Sequence, residues 1–392
     1  MMLHWKRFTR PQVLQRLGRD LLARFFLQFQ GELERAGLTL PAADLPDAQY
    51  FDQVVRLVGA PEALPDALTE ALFAVHELAG VDGQERLEQT AVALGLELRP
   101  GSSREDIALQ IWLANPAALA RAHNLQRLRR LSTFEYFGTS LPAAQRPPLP
   151  VLGEETLLAL QARLDPWFAQ HQRGENATRL QLYTVPSPAR RNLPEYWFLI
   201  RHGDTFSRTP KVEAQKTEIL HFRPERDDVV VYSPQHDEIR VNARTRGERE
   251  LYVRCFGLCL RGSEEYFSWW STYTLEPLRE EGADALDVAG VDGIQKIVLR
   301  EIELAWPNPR EGRTVRQGAD LFAPAAEGES LDDLLPRPAR LARAGFDVVF
   351  PCSTKARPVE IRLPNVLKVG RHCDARALDE WLCRRGFRRN CR

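Results

Sequence analysis

The sequence predicts an α+β fold: a helical N-terminal domain, then a C-terminal domain with a mainly antiparallel sheet and flanking helices. Three observations carry this. Apolar residues recur three and four apart up to about residue 139. Short alternating runs bounded by turn residues take over from about residue 180. Between them, Ser140 to Gly153 holds four prolines and no periodicity, so it reads as a linker or an extended surface segment. A length of 392 residues exceeds one ordinary core, and 44% hydrophobic with 27% charged residues suits a globular chain of two or three domains.

In the first part, Val13, Leu14, Leu17, Leu21, Leu22, Phe25 and Phe26 form an apolar stripe behind Pro11, a good first-turn residue. Leu64 to Ala79 repeats the spacing and Gly80 ends it; Asp82 to Leu94 follows, with Gly95 placed to stop it. Ser103 with Asp106 resembles a capping box opening a helix through Leu113. Pro116 to Leu131 gives one more helix, and Trp112, Phe134, Tyr136 and Phe137 are expected to close this core. No fixed repeat period is present.

A helix over 154–172 leads into the second part. Strands are expected at 180–185, 196–201 and 218–222. A hairpin follows, Val229 to Tyr232 and Ile239 to Asn242, around the turn residues Ser233 to Asp237. Next come a helix over 248–260, an aromatic cluster (Tyr266, Phe267, Trp269, Trp270, Tyr273) and a long strand over 294–306. Strands at 346–350 and 359–363 and a helix from Ala375 to Arg385, stopped by Gly386, make a strand–strand–helix unit within 340–392.

Composition excludes some classes. Basic and acidic residues balance at 53 each, so no global attraction to nucleic acid or anionic membrane is implied. With six lysines, 53 − 6 = 47 of the basic residues are Arg, dispersed among Asp and Glu. No apolar run is long enough to span a bilayer, and MMLHWKRFTRPQ lacks the apolar core of a secretory signal. Six cysteines without CxxC spacing read as free thiols of a cytoplasmic protein. Neither a P-loop, a dinucleotide fingerprint nor a nucleophile elbow is present.

Two motifs carry candidate chemistry. Asp228 opens one hairpin strand and Glu238-Ile239-Arg240 the next. This resembles the metal site of PD-(D/E)xK nucleases, which implies Mg²⁺ held by Asp228 and Glu238. Arg240 stands where that family has lysine, and a guanidinium does not act as a base. The alternative is a pair of solvated residues beside a turn. The other motif, Arg201-His202-Gly203 at a strand end, resembles the RHG of histidine phosphatases. That resemblance implies a phosphorylated His202 and a phosphate-holding Arg201, with His221, His236 or His372 as second histidine. The plain alternative is a strand end whose histidine caps a loop.

Cys255 and Cys259 share a helix face and read as core rather than metal ligands. The segment Lys368–Arg392 carries eight basic and three acidic residues, 8 − 3 = +5, and offers Arg384, Arg385, Arg388 and Arg389 as nucleic-acid contacts, or a solvated helix face. The part from Tyr196 to Phe387 resembles uncharacterised bacterial proteins of mobile and anti-phage defence loci, through the hairpin, Glu250-Leu251-Tyr252 with Phe256-Gly257, 273–278 and the ending Trp381-Leu382 with Arg385-Gly386-Phe387. The expectation is a non-catalytic recognition or scaffold component with a protein or nucleic-acid partner, no membrane partner and no cofactor. The alternatives are the Mg²⁺ nuclease and, third, the phosphatase.

Overall fold

A computed structural model describes residues 8–10, 14–15, 17–98, 101–186, 193–213, 216–268, 271–308, 312–323, 330–351, 355–370 and 375–389. The chain divides into two units, Met1–Arg129 and Arg130–Arg392. Helices fill the first and an antiparallel sheet dominates the second, the α+β class expected.

Among the described residues the first unit has seven α-helices: α1 Arg19–Leu27, α2 Gln30–Arg35, α3 Asp47–Val58, α4 Asp66–Leu78, α5 Gln84–Ala93, α6 Arg104–Ala114 and α7 Pro116–Arg129. Their apolar stripes converge on one core that includes Leu22, Phe25, Val54, Leu72, Leu87 and Ile111. The capping box at α6 forms as read. The Asp106 N–H donates to Ser103 Oγ at 3.1 Å, and the Ser103 N–H donates to Asp106 Oδ2 at 3.3 Å.

The strands of the second unit are β1 Thr133–Phe137, β2 Arg179–Pro186, β3 Pro194–Gly203, β4 Ser207–Glu213, β5 Lys216–Phe222, β6 Glu225–Ser233, β7 Glu238–Asn242, β8 Lys296–Ala305, β9 Arg313–Gln317, β10 Arg340–Val349, β11 Arg357–Arg362 and β12 Val366–Val369. Ten of them form one sheet in the order β2-β3-β6-β7-β1-β12-β11-β10-β8-β9; among the described residues β4 and β5 pair only with each other. The long helices here are α8 Glu154–Gln170, α9 Arg246–Arg261 and α10 Ala375–Arg384.

The sheet has a two-ended plan. Strands β3, β6 and β7 form a meander that runs into α9, and β10, β11 and β12 form a meander that runs into α10. Strand β1 lies between the two. Helix α9 packs with α8 on the face bearing Phe198, Ile200, Val230, Ile239 and Val241. Register carries the opposite face through Arg240, Tyr136, Phe134, Leu367, Ile361, Val359 and Phe346. There Trp381 of α10 meets Phe346, ring centres 5.8 Å apart. The two meanders therefore bury opposite faces of one sheet.

Several expectations are corrected. Phe134, Tyr136 and Phe137 do not close the helical core; they lie on β1 in the middle of the sheet, so the boundary falls near residue 130 rather than 139. The 140–153 segment is not a free linker. Leu149 and Leu152 pack on the α8–α9 core, and the Pro147 carbonyl accepts from Arg261 Nη1. Not all the thiols are free: Cys383 is in a disulfide, with its partner outside the described residues, whereas Cys255 and Cys259 are unbridged. Trp269, Trp270, His372 and Cys373 lie outside the described residues as well.

Candidate functional site

The residue types that could do chemistry gather in three buried networks on the second unit. The first sits at the end of β3 and β6 under α9. Alternation on β3 sends Ile200 and His202 to the α9 face and Arg201 to the other. On β6, Arg226 and Asp228 share the face of His202. Thr245 caps α9: its hydroxyl accepts from the Glu248 N–H at 3.2 Å, while Glu248 Oε2 accepts from the Thr245 N–H at 2.8 Å. The capping carboxylate is thereby turned inward, fully buried.

His202, Asp228 and Glu248 thus bring potential ligand atoms within 4.8 Å of one another. This is the closest approach to a metal site among the described residues. It is, however, already filled with cations. Arg226 Nη2 donates to Asp228 Oδ1 at 3.1 Å and lies 3.5 Å from Glu248 Oε2. Arg173 Nη2 lies 3.5 Å from Glu248 Oε1, and its Nη1 is bonded to Asp204. Asp228 Oδ2 faces His202 Nε2 at 3.1 Å and accepts from the Tyr252 hydroxyl at 2.8 Å. Both Asp228 oxygens and Glu248 Oε2 are hydrogen-bonded, and Glu248 Oε1, which has no hydrogen bond, still faces the Arg173 guanidinium at 3.5 Å, so cations of the chain itself already occupy the positions a divalent ion would take. Burial, together with the neighbouring Asp228 charge, pushes the Tyr252 phenol well above its ordinary range, so it serves as a donor.

The RHG motif finds its explanation here. His202 is 1% exposed and stacks on Phe168 of α8 with ring centres 4.2 Å apart. Arg201 points to the other face and donates to Asp227 Oδ1 at 2.9 Å. A Cβ on Gly203 would come within 2.0 Å of the Arg173 carbonyl oxygen, so only glycine fits. Arg201 and His202 therefore do not line one pocket. Of the possible second histidines, His221 is on the exposed β5 and His236 is bonded elsewhere.

The second network fills the β6–β7 turn. Asp237 adopts a left-handed backbone with φ of 51°, which Asp tolerates, and is 3% exposed. It accepts from the Tyr232 hydroxyl at 3.0 Å, from the Tyr266 hydroxyl at 2.5 Å and from Arg261 Nη2 at 2.7 Å. Burial and the Asp237 carboxylate push the Tyr266 phenol up to about 12.

The third network lies on the α10 face. Asp228 and Ser233 are five apart on β6, and Ser233 pairs with Glu238, so Glu238 points away from Asp228 through the sheet. There Glu238 Oε1 accepts from Arg388 Nη2 at 2.6 Å. Arg388 Nη1 bonds Asp379 of α10, whose Oδ2 lies 3.0 Å from His236 Nε2. Burial raises the Asp379 carboxyl, but Arg388 and His236 lower it more, and the net position is well below the usual carboxylate range. Arg240, partly buried, pairs with Glu195 at 2.5 Å among Phe134, Tyr136 and Trp197.

The nuclease triad is therefore not assembled: Asp228 serves the first network, Glu238 and Arg240 the third. The basic C-terminal set is also largely committed. Arg384 donates to the Gly290 carbonyl, Arg385 to the Asp287 carbonyl at 2.7 Å, Arg389 to Ser271 Oγ at 2.9 Å, and Arg388 is buried. Sequence reasoning missed Glu248 and Tyr252 as partners of Asp228. The Thr245…Glu248 spacing was a legible sign of the cap, but nothing local shows which way a capping carboxylate turns. No protein-family model and no curated protein matches this chain.

Proposed function

We propose that this protein is a non-catalytic recognition or scaffold component acting on a protein partner. One observation carries the reading. The acids and histidines that could serve catalysis in the sheet unit are tied into ion pairs and hydrogen bonds of its own interior: His202, Asp228, Glu248, Asp237, Glu238 and Asp379. A catalytic carboxylate or imidazole needs a free valence toward substrate. Here those valences hold the sheet to α9 and α10, and Glu248 Oε1, the one without a hydrogen bond, is buried against the Arg173 guanidinium at 3.5 Å rather than open to a substrate. The tethering of Arg384, Arg385, Arg388 and Arg389 favours a protein partner over nucleic acid. A bacterial defence locus is the setting that the sequence resemblance implies.

The test incubates the purified full chain with DNA, RNA and a phosphomonoester, with and without Mg²⁺, beside the Asp228→Asn, Glu238→Gln and His202→Gln variants. No turnover is expected in any sample, while the product of a co-transcribed gene co-purifies with the wild-type chain. Mg²⁺-dependent cleavage lost in Asp228→Asn or Glu238→Gln, with folding retained, establishes the nuclease instead. Metal-independent phosphate release lost in His202→Gln establishes the phosphatase.

A further inference from the structure

The β4–β5 hairpin leaves the main sheet between β3 and β6 and pairs with no other described strand. All seven residues of β5 are exposed. Phe206 is 63% exposed and Val212 81%, with Ile219, Leu220 and Phe222 also open to solvent. Two-stranded ribbons are marginal alone in water, and exposed strand edges are templates for further pairing. The two edges of this ribbon differ. Pro210 on β4 supplies no N–H, which blunts that edge, whereas β5 contains no proline.

We propose that the free β5 edge pairs antiparallel with β5 of a second copy of this chain, giving a four-stranded β4-β5-β5-β4 ribbon about a two-fold axis. Strand β5 is self-complementary in one register. Centring the pair on Ile219 uses all seven residues: Ile219 meets its own copy on the axis, Thr217 meets His221, Glu218 meets Leu220 and Lys216 meets Phe222. In that register Pro210, Val212 and Ile219, which share one face of the hairpin, join the matching residues of the other copy in a continuous apolar strip. Charge supports this occupant. β5 carries one lysine and one glutamate, and the whole chain has a formal net charge of zero, so two copies do not repel. The same balance gives a polyanion little to hold, and Lys211 is already 3.8 Å from Glu218.

Sedimentation velocity of the full chain across roughly 1–100 µM, a span suited to a modest interface, tests this. The wild type is expected to shift from monomer to dimer as concentration rises. Ile219→Lys and Ile219→Glu each place like charges on the axis and are expected to remain monomeric with unchanged circular dichroism. Mixed in equal amounts they restore the dimer. A wild type that stays monomeric throughout overturns the proposal, and so does an Ile219→Lys variant that dimerises like wild type. A monomeric chain whose hairpin retains a labelled oligonucleotide also overturns it.

Discussion

Replacing Arg388 by alanine removes the guanidinium that holds Glu238 of β7 to Asp379 of α10. The Arg388 side chain is 5% exposed and Glu238 7%, so solvent does little to screen the loss. Deleting one partner of a buried ion pair costs about 3–5 kcal/mol, because the remaining charge is left without compensation. At about 2–4 °C per kcal/mol for a unit of this size, the sheet unit should melt roughly 6–20 °C lower. Arg388→Met with Glu238→Gln, which removes charges from both sides, should recover part of that loss. Asp379 has a folded-state pKa below its unfolded value near 3.8, so its stabilising contribution is complete above that value and fades as pH falls through the depressed one. In Arg388→Ala the part of that contribution due to Arg388 is gone already, while the part due to His236 remains, so the gap between variant and wild type should narrow in acid. Thermal and urea unfolding at pH 7 and pH 3 read both effects. A loss below about 1 kcal/mol at pH 7 would show that the network contributes no more than a surface pair and does not clamp β7 to α10.

Gly203→Ala forces a Cβ toward the Arg173 carbonyl and should cost on the order of 1–3 kcal/mol in urea unfolding, although the residue touches no ligand. Thr245→Ala removes the α9 cap and should cost about 0.5–2 kcal/mol by the same measurement. Tyr136, Tyr232, Tyr252, Tyr266 and Tyr273 all ionise later in the folded chain than when unfolded, chiefly because burial disfavours the phenolate. The folded state then holds more protons above about pH 10, so stability should fall with rising pH from there, and tyrosinate absorbance should appear together with unfolding. Because Cys383 is bridged, thiol titration of unreduced, denatured protein should find no more than four of the six cysteines free.

Much of the fold was legible in local sequence. Helical spacing before residue 130, the Ser103…Asp106 box and the alternating run at β8 depend on contacts a few residues apart, and the chain records those directly. Strand β1 was not legible. Phe134 and Tyr136 look like the tail of a helical core, and only pairing with β7 and β12, more than one hundred residues away, makes them a strand. The candidate site divides the same way. The sequence by itself determined that Asp228, Glu238, Arg240, Arg201 and His202 stand on strands with the spacing of catalytic motifs. Tertiary structure alone decided their directions and partners. Strand alternation sends Asp228 and Glu238 to opposite faces, as it does Arg201 and His202. Arg226, two residues away on the same strand, neutralises Asp228, whereas Glu238 is neutralised by Arg388, 150 residues away. A motif names the side chains, whereas the sheet decides which face they reach and which charges await them there.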